Sequence, residues 1–231
     1  MRNFLIGIIV VTAVVVGIAQ FFLPSYISGQ LESRVTEVLK PEKSDLHVDS
    51  TPAVRMLAGH FDSIAGELNT VQLGDLEFSA IRLDLKNIEI DPFDLAMNKT
   101  VTVSNAGGGY VEGIVTEGAL KAFMEKKVNG LSVDSVTLNA EGVSVTGEIS
   151  IGGFLSGTAT VGGQMELKNN ALVFSPQRLA INGTTIGGLT SAVLKEIAIY
   201  DFVNFPIPVT AERIDLSGGE MHVMITPQAR R

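Results

Sequence analysis

The chain has 231 residues, 45% of them hydrophobic and only 18% charged, with 0 Cys and a formal net charge of -8. An acidic chain without a basic stripe excludes nucleic acid as a partner, because phosphate binding needs clustered Lys and Arg. The lack of Cys excludes a disulfide framework, a thiolate nucleophile and a lipoprotein anchor, and the apolar content excludes disorder.

The first element is Phe4 to Leu23, an uncharged run preceded by Arg2. About twenty such residues are needed to cross roughly 30 Å of hydrocarbon as a helix. The basic end is expected to stay in the cytoplasm, so the remainder is expected outside it. The first reading is an uncleaved single-pass anchor. The second is a cleaved signal, for which Gly17-Ile18-Ala19 supplies small residues before Gln20. Pro24 is expected to break the helix, dividing the chain into an anchor or signal segment, 1–24, and one β-rich domain, 25–231.

After Pro24, Ile27, Leu31, Val35 and Val38 form one apolar face, which predicts a second helix stopped at Lys40-Pro41. The stretch 42–52 reads as a loop or short strand. A short helix should follow, with a strand entered at Phe61. From Val71 onward strand patterns dominate. A motif of apolar-x-apolar, four spacers, apolar-x-apolar occurs at Ile81/Leu83/Ile88/Ile90, Val136/Leu138/Val143/Val145, Met165/Leu167/Leu172/Phe174 and Ile214/Leu216/Met221/Val223. In the last three the spacers NAEG, KNNA and SGGE have hairpin turn chemistry. In the first, DLKN also fits a bulge within one long strand. Between these strands, Thr116 caps a helix whose face carries Leu120, Phe123, Met124 and Val128 and which stops at Gly130. A further helix is expected from Gly188 through Leu189, Val193 and Ile197.

Chemistry-bearing constellations are scarce. His47, His60 and His222 are scattered and lack metal-ligand spacing. Gly107-Gly108-Gly109 and Gly152-Gly153 fit no phosphate-loop pattern and read as turn or bulge glycines. Asp84, Glu89, Asp91 and Asp94 gather near Asp91-Pro92, which reads as a turn. No serine-hydrolase elbow is present. The expectation is a protein that is not an enzyme and has no cofactor or metal.

The segment Gly59-His60-Phe61-Asp62-Ser63-Ile64, the helix TEGALKAFMEKKV leading into SVTLNAEGVSVTG, and the final IPV…ERIDLSGGEMHV hairpin together resemble the LmeA-like phospholipid-binding family of bacterial cell-envelope proteins. The resemblance covers most of the chain after Pro24. It implies phospholipid and membrane as partners. It also implies an α+β, predominantly antiparallel fold, in which a curved sheet meander packs on a few helices as in tubular lipid-binding folds. A sheet with one apolar face must cover it, and the helices are few, so acyl chains are expected to cover part. The candidates for cavity lining are Leu31, Val35, Phe61, Ile64, Leu120, Phe123 and Met124, each of which also fits ordinary core packing. The competing reading is a non-catalytic envelope scaffold with a solid core.

Overall fold

A computed structural model of the chain describes residues 2–94, 97, 102–128, 131–151, 155–186, 195–205 and 207–228. It opens with one long helix, α1 (Arg2–Leu39), and continues with strand β1 (Lys43–Asp49) and a 3-10 turn over Ala53–Ala58. Long strands β2 (His60–Leu73), β3 (Leu76–Ile90) and β4 (Val103–Thr116) come next, then helix α2 (Glu117–Lys127). The strands β5 (Leu131–Asn139), β6 (Gly142–Ile151), β7 (Leu155–Lys168), β8 (Ala171–Ile181), β9 (Thr184–Thr185) and β10 (Ile197–Asp201) follow. The chain closes with β11 (Val209–Ser217) and β12 (Glu220–Pro227).

All pairings are antiparallel and form two open sheets. Sheet A has the order β1-β2-β3-β4-β12-β11, and sheet B the order β10-β8-β7-β6-β5, with β9 paired to β8. Neither closes into a barrel. Their apolar faces share one core, which includes Leu68 and Ile88 from sheet A, Val145 and Phe174 from sheet B, and Leu120 and Phe123 from α2.

The repeated motif marks hairpins. Three copies turn through two residues, at Ala140-Glu141, Asn169-Asn170 and Gly218-Gly219. At 169–170 and 218–219 both turn residues have positive φ, as the right-handed twist of two-residue hairpins demands. The first copy is one continuous strand, β3. There Asn87 takes φ 50 without interrupting the register, and the buried positions change from odd (Ile81, Leu85) to even (Ile88, Ile90). Opposite Asn87 lie Gly107–Gly109, which are therefore inside β4 and not at a turn. A Cβ on Gly109, itself at φ 99, would sit 2.1 Å from the Asp84 carbonyl oxygen.

Asn170 joins the two sheets. Its side-chain amide donates to the Val209 carbonyl at 3.0 Å and accepts from the Ala211 N–H at 2.8 Å, so the β7–β8 turn pairs with edge strand β11. α2 forms the other joint. Thr116 caps it by accepting from the Ala119 N–H, and the Glu117 carboxylate accepts from Leu138 on edge strand β5.

Two sequence expectations are corrected. Pro24 does not break the helix: α1 runs straight through it. Gln20 and Ser28, one turn before and after, are each hydrogen-bonded to the domain, so both halves are held in line despite the missing N–H. Ile197 and Ala198 belong to β10, not to a helix, because they pair with Phe174 and Val173 of β8. Lys195 and Glu196 before them are not helical either, and residues 188–194 of that expected helix, together with Gly130 and Gly152-Gly153, lie outside the described residues.

Tyr200 on β10 packs edge-on against Phe78 (5.9 Å) and Phe202 (5.2 Å). Burial, assisted by the Asp201 carboxylate, pushes its phenol up to about 12. In the unfolded chain it ionises near pH 10. Its contribution to stability is therefore complete below pH 10 and is lost as the pH rises towards 12. Denaturant midpoints measured from pH 9 to 12 should fall more steeply for the native chain than for Tyr200→Phe.

Candidate functional site

The site begins with a row of polar side chains on α1. Gln20, Ser28, Glu32 and Thr36 recur at multiples of four and so form a face that winds gradually around the helix. That face meets edge strand β1 and the segment after it. Ser28 Oγ accepts from the Val48 N–H at 3.1 Å, and Glu32 accepts from Ser44 Oγ at 2.6 Å. Gln20 accepts from the Ala53 N–H at 2.7 Å and donates to the Ser50 carbonyl at 3.1 Å. An edge strand otherwise presents unpaired backbone groups, and the helix supplies partners for part of that edge.

With its polar row on the edge, α1 turns an adjacent apolar row, Leu31, Val35, Val38 and Leu39, towards the inner face of sheet A. Leu31 reaches the core, but along the rest of the row the two surfaces stand apart. Between them lies a groove of about 320 Å³, floored by Leu46 and Val48 of β1, Ile64 and Leu68 of β2, Ile81 to Ile90 of β3, and Val103 and Val111 of β4. Phe205 and Ile207, before β11, close the far side. The volume is at the lower end of the roughly 300–1,000 Å³ usual for ligand pockets. Apart from Arg34, every lining side chain is Leu, Val, Ile or Phe. Arg34 lies part-exposed, with its guanidinium 3.0 Å from the Glu37 carboxylate.

Of the residues singled out from the sequence, Leu31, Val35 and Ile64 are brought together in the groove. Phe61 is 2% exposed and pairs in register with Ile88, but it is not among the lining residues. Leu120, Phe123 and Met124 are buried on α2, which packs against β3, β4 and β5 in the core shared by the sheets. They are not groove residues. Sequence reasoning did not reach β3, β4, Phe205 and Ile207 as groove walls, because nothing in an apolar strand pattern tells which apolar face is left uncovered. The polar row on α1 was a readable signal: a four-residue polar period on an apolar helix marks a face held against polar backbone.

The outer face of sheet A is polar. Glu67, Arg82, Glu112 and His222 form a ladder of polar contacts across β2, β3, β4 and β12. Asp91 Oδ1 accepts from the N–H groups of Phe93 and Asp94, the turn expected of Asp91-Pro92. His47 pairs with Asp45, and His60 with Glu89. Among the described residues no group of His, Asp and Glu is placed to hold a metal ion. A shallower, polar hollow of about 260 Å³ lies over sheet B beside Arg178 and Thr160.

The family model described as LmeA-like phospholipid-binding matches residues 18–226. No curated protein and no solved structure matches the chain.

Gln20→Ala leaves the Ala53 N–H and the Ser50 carbonyl without their partner, at a cost of about 1–3 kcal/mol of local docking. Hydrogen exchange at Ala53 should accelerate by one to two orders of magnitude while β6–β8 remain unchanged. The buried Ser50 hydroxyl has no partner, so Ser50→Ala should leave the thermal midpoint unchanged or raise it.

Proposed function

The chain belongs to the LmeA-like phospholipid-binding family, and on that premise we propose a membrane-tethered, extracytoplasmic, non-catalytic module that holds phospholipid acyl chain between α1 and sheet A. The observation that carries this reading is the groove: an open slot with an aliphatic lining and one part-exposed cation. A scaffold with a solid core would have α1 packed flush on the sheet.

The tether is the opening part of α1, the uncharged run Phe4–Leu23, about the length a helix needs to cross roughly 30 Å of hydrocarbon. Phe21 and Phe22 are 81% and 70% exposed, so no protein covers them. No charge occurs between Arg2 and Glu32. Arg2 at the leading end favours the orientation with the sheets outside the cytoplasm.

The energetics suit exchange with a bilayer. Moving one CH₂ out of water is worth about 0.8 kcal/mol, but a lipid leaving a membrane is already out of water. The groove need only match the bilayer, so a loose aliphatic slot suffices and release stays easy. A slot of about 320 Å³ takes part of a phospholipid, with the remainder left in the membrane or along the open side. Arg34 supplies the head-group contact. Its exposed pairing with Glu37 is worth at most about 1 kcal/mol, so a lipid phosphate can displace it at little cost.

The test uses the full chain in vesicles containing phosphatidylcholine with a photoactivatable acyl chain. Cross-links are expected in β2, β3 and β4. Leu83→Trp, which fills the groove from a half-buried position, should reduce them several-fold, whereas Met124→Leu on α2 should not. Cross-links confined to α1 before Gln20 would mean that lipid merely surrounds the anchor, and the groove reading would fail. Arg34→Gln should weaken retention of phospholipid and leave that of diacylglycerol unchanged.

A further inference from the structure

We propose that the domain does not hang from its anchor but seats a second, separate surface in the membrane: the apolar patch formed by Val54, Leu57, Phe93 and Met97. The inference rests on the tether reading above. Val54 and Leu57 are 40% and 59% exposed on the 3-10 turn after β1, and Phe93 and Met97 are 65% and 68% exposed just beyond β3. The two segments adjoin. The Ile90 N–H donates to the Gly59 carbonyl at 2.9 Å, and a Cβ on Gly59 would lie 3.1 Å from the Pro92 ring.

The occupant follows from where the patch is held. Gln20 bonds α1 to Ser50 and Ala53, so the turn carrying Val54 and Leu57 is fixed at the level of Gln20. From Arg2 to Gln20 the helix rises 18 residues at about 1.5 Å each, or roughly 27 Å. That is close to the roughly 30 Å of a hydrocarbon core. With Arg2 at the cytoplasmic boundary, Gln20 and the patch lie at the outer boundary, beside the exposed rings of Phe21 and Phe22. The same bilayer that covers the helix would cover the patch.

The contact is apolar, not electrostatic. Arg55, between Val54 and Met56, is already paired with Asp62 at 3.0 Å, and the chain carries a net charge of -8. Seating should therefore need no anionic lipid and should survive high salt. The patch also adjoins the groove, because Ile90 lines the groove and bonds to Gly59 at the end of the turn. Seating it would place that end of the slot at the lipid surface and shorten the path of an acyl chain into it.

The absence of Cys permits single labelled cysteines in the full chain. An environment-sensitive fluorophore is placed at Val14→Cys, Leu57→Cys, Phe93→Cys or Glu77→Cys, the last at the opposite end of the β2–β3 ribbon. Each protein is reconstituted in phosphatidylcholine vesicles with or without nitroxide-bearing acyl chains. Labels at 14, 57 and 93 should be quenched several-fold more than the label at 77, equally in low and high salt. Quenching at 14 with 57 and 93 behaving like 77 would overturn the patch and leave the tether standing. No quenching at 14 would overturn the tether, and the patch with it. Hydrogen exchange over 53–58 in the unlabelled chain should slow on transfer from detergent to vesicles, and an unchanged rate would also count against seating.

Discussion

The arrangement of the molecule depends on one row of polar contacts, those from Gln20, Ser28 and Glu32 of α1 to the β1 edge and the residues that follow it. A largely apolar helix beside an apolar sheet face would ordinarily pack onto that face. Here the polar row holds it at the edge, where it meets backbone donors and acceptors that would otherwise be unpaired. The helix is thus fixed at the side of the sheet, and the space between the two remains open. Under the proposed tether, fixing α1 there would also set the height of the domain above the membrane, because Gln20 stands one span-length from Arg2.

The long strands make the groove deep. β2, β3 and β4 have 14, 15 and 14 residues, against about 5–6 for a common strand. A strand of that length cannot keep one strict alternation and still bury the same face throughout a twisted sheet. Two left-handed residues, Thr70 in β2 (φ 54) and Asn87 in β3 (φ 50), coincide with changes in which positions are buried. Leu68 gives way to Val71 across the first, and Leu85 to Ile88 across the second. The Gly107–Gly109 run is the matching accommodation in β4, where β3 leaves no room for a side chain at 107 and 109.

Sheet B and α2 complete the core without entering the groove. Tying β11 to the β7–β8 turn through both ends of the Asn170 amide closes the core on one side, and α2 with Glu117 closes it on the other. Among the described residues the aliphatic groove thereby opens on the α1 side of sheet A. Phospholipid binding by the family and a slot in that place are mutually consistent: the sheet face left open is the one beside the apolar helix α1.

Much of this was legible in the sequence. The uncharged run from Asn3 to Leu31, the cap at Thr116 and the two-residue turns at 140–141, 169–170 and 218–219 are local features, set by side-chain transfer energy and by which residues tolerate positive φ. Leu31, Val35 and Ile64 could be named as lining because they face inwards on elements whose period is plain. Leu120, Phe123 and Met124 have the same apolar period, yet they are packed by β3 and β5 instead of facing the slot. Periodicity reports which face of an element is apolar but not what lies opposite it. Opposition is a long-range property, decided only when strands distant in sequence pair and the edge of one sheet captures a helix. For the same reason Pro24 could be read as a break from local sterics alone, whereas hydrogen bonds one turn to either side carry the helix through it.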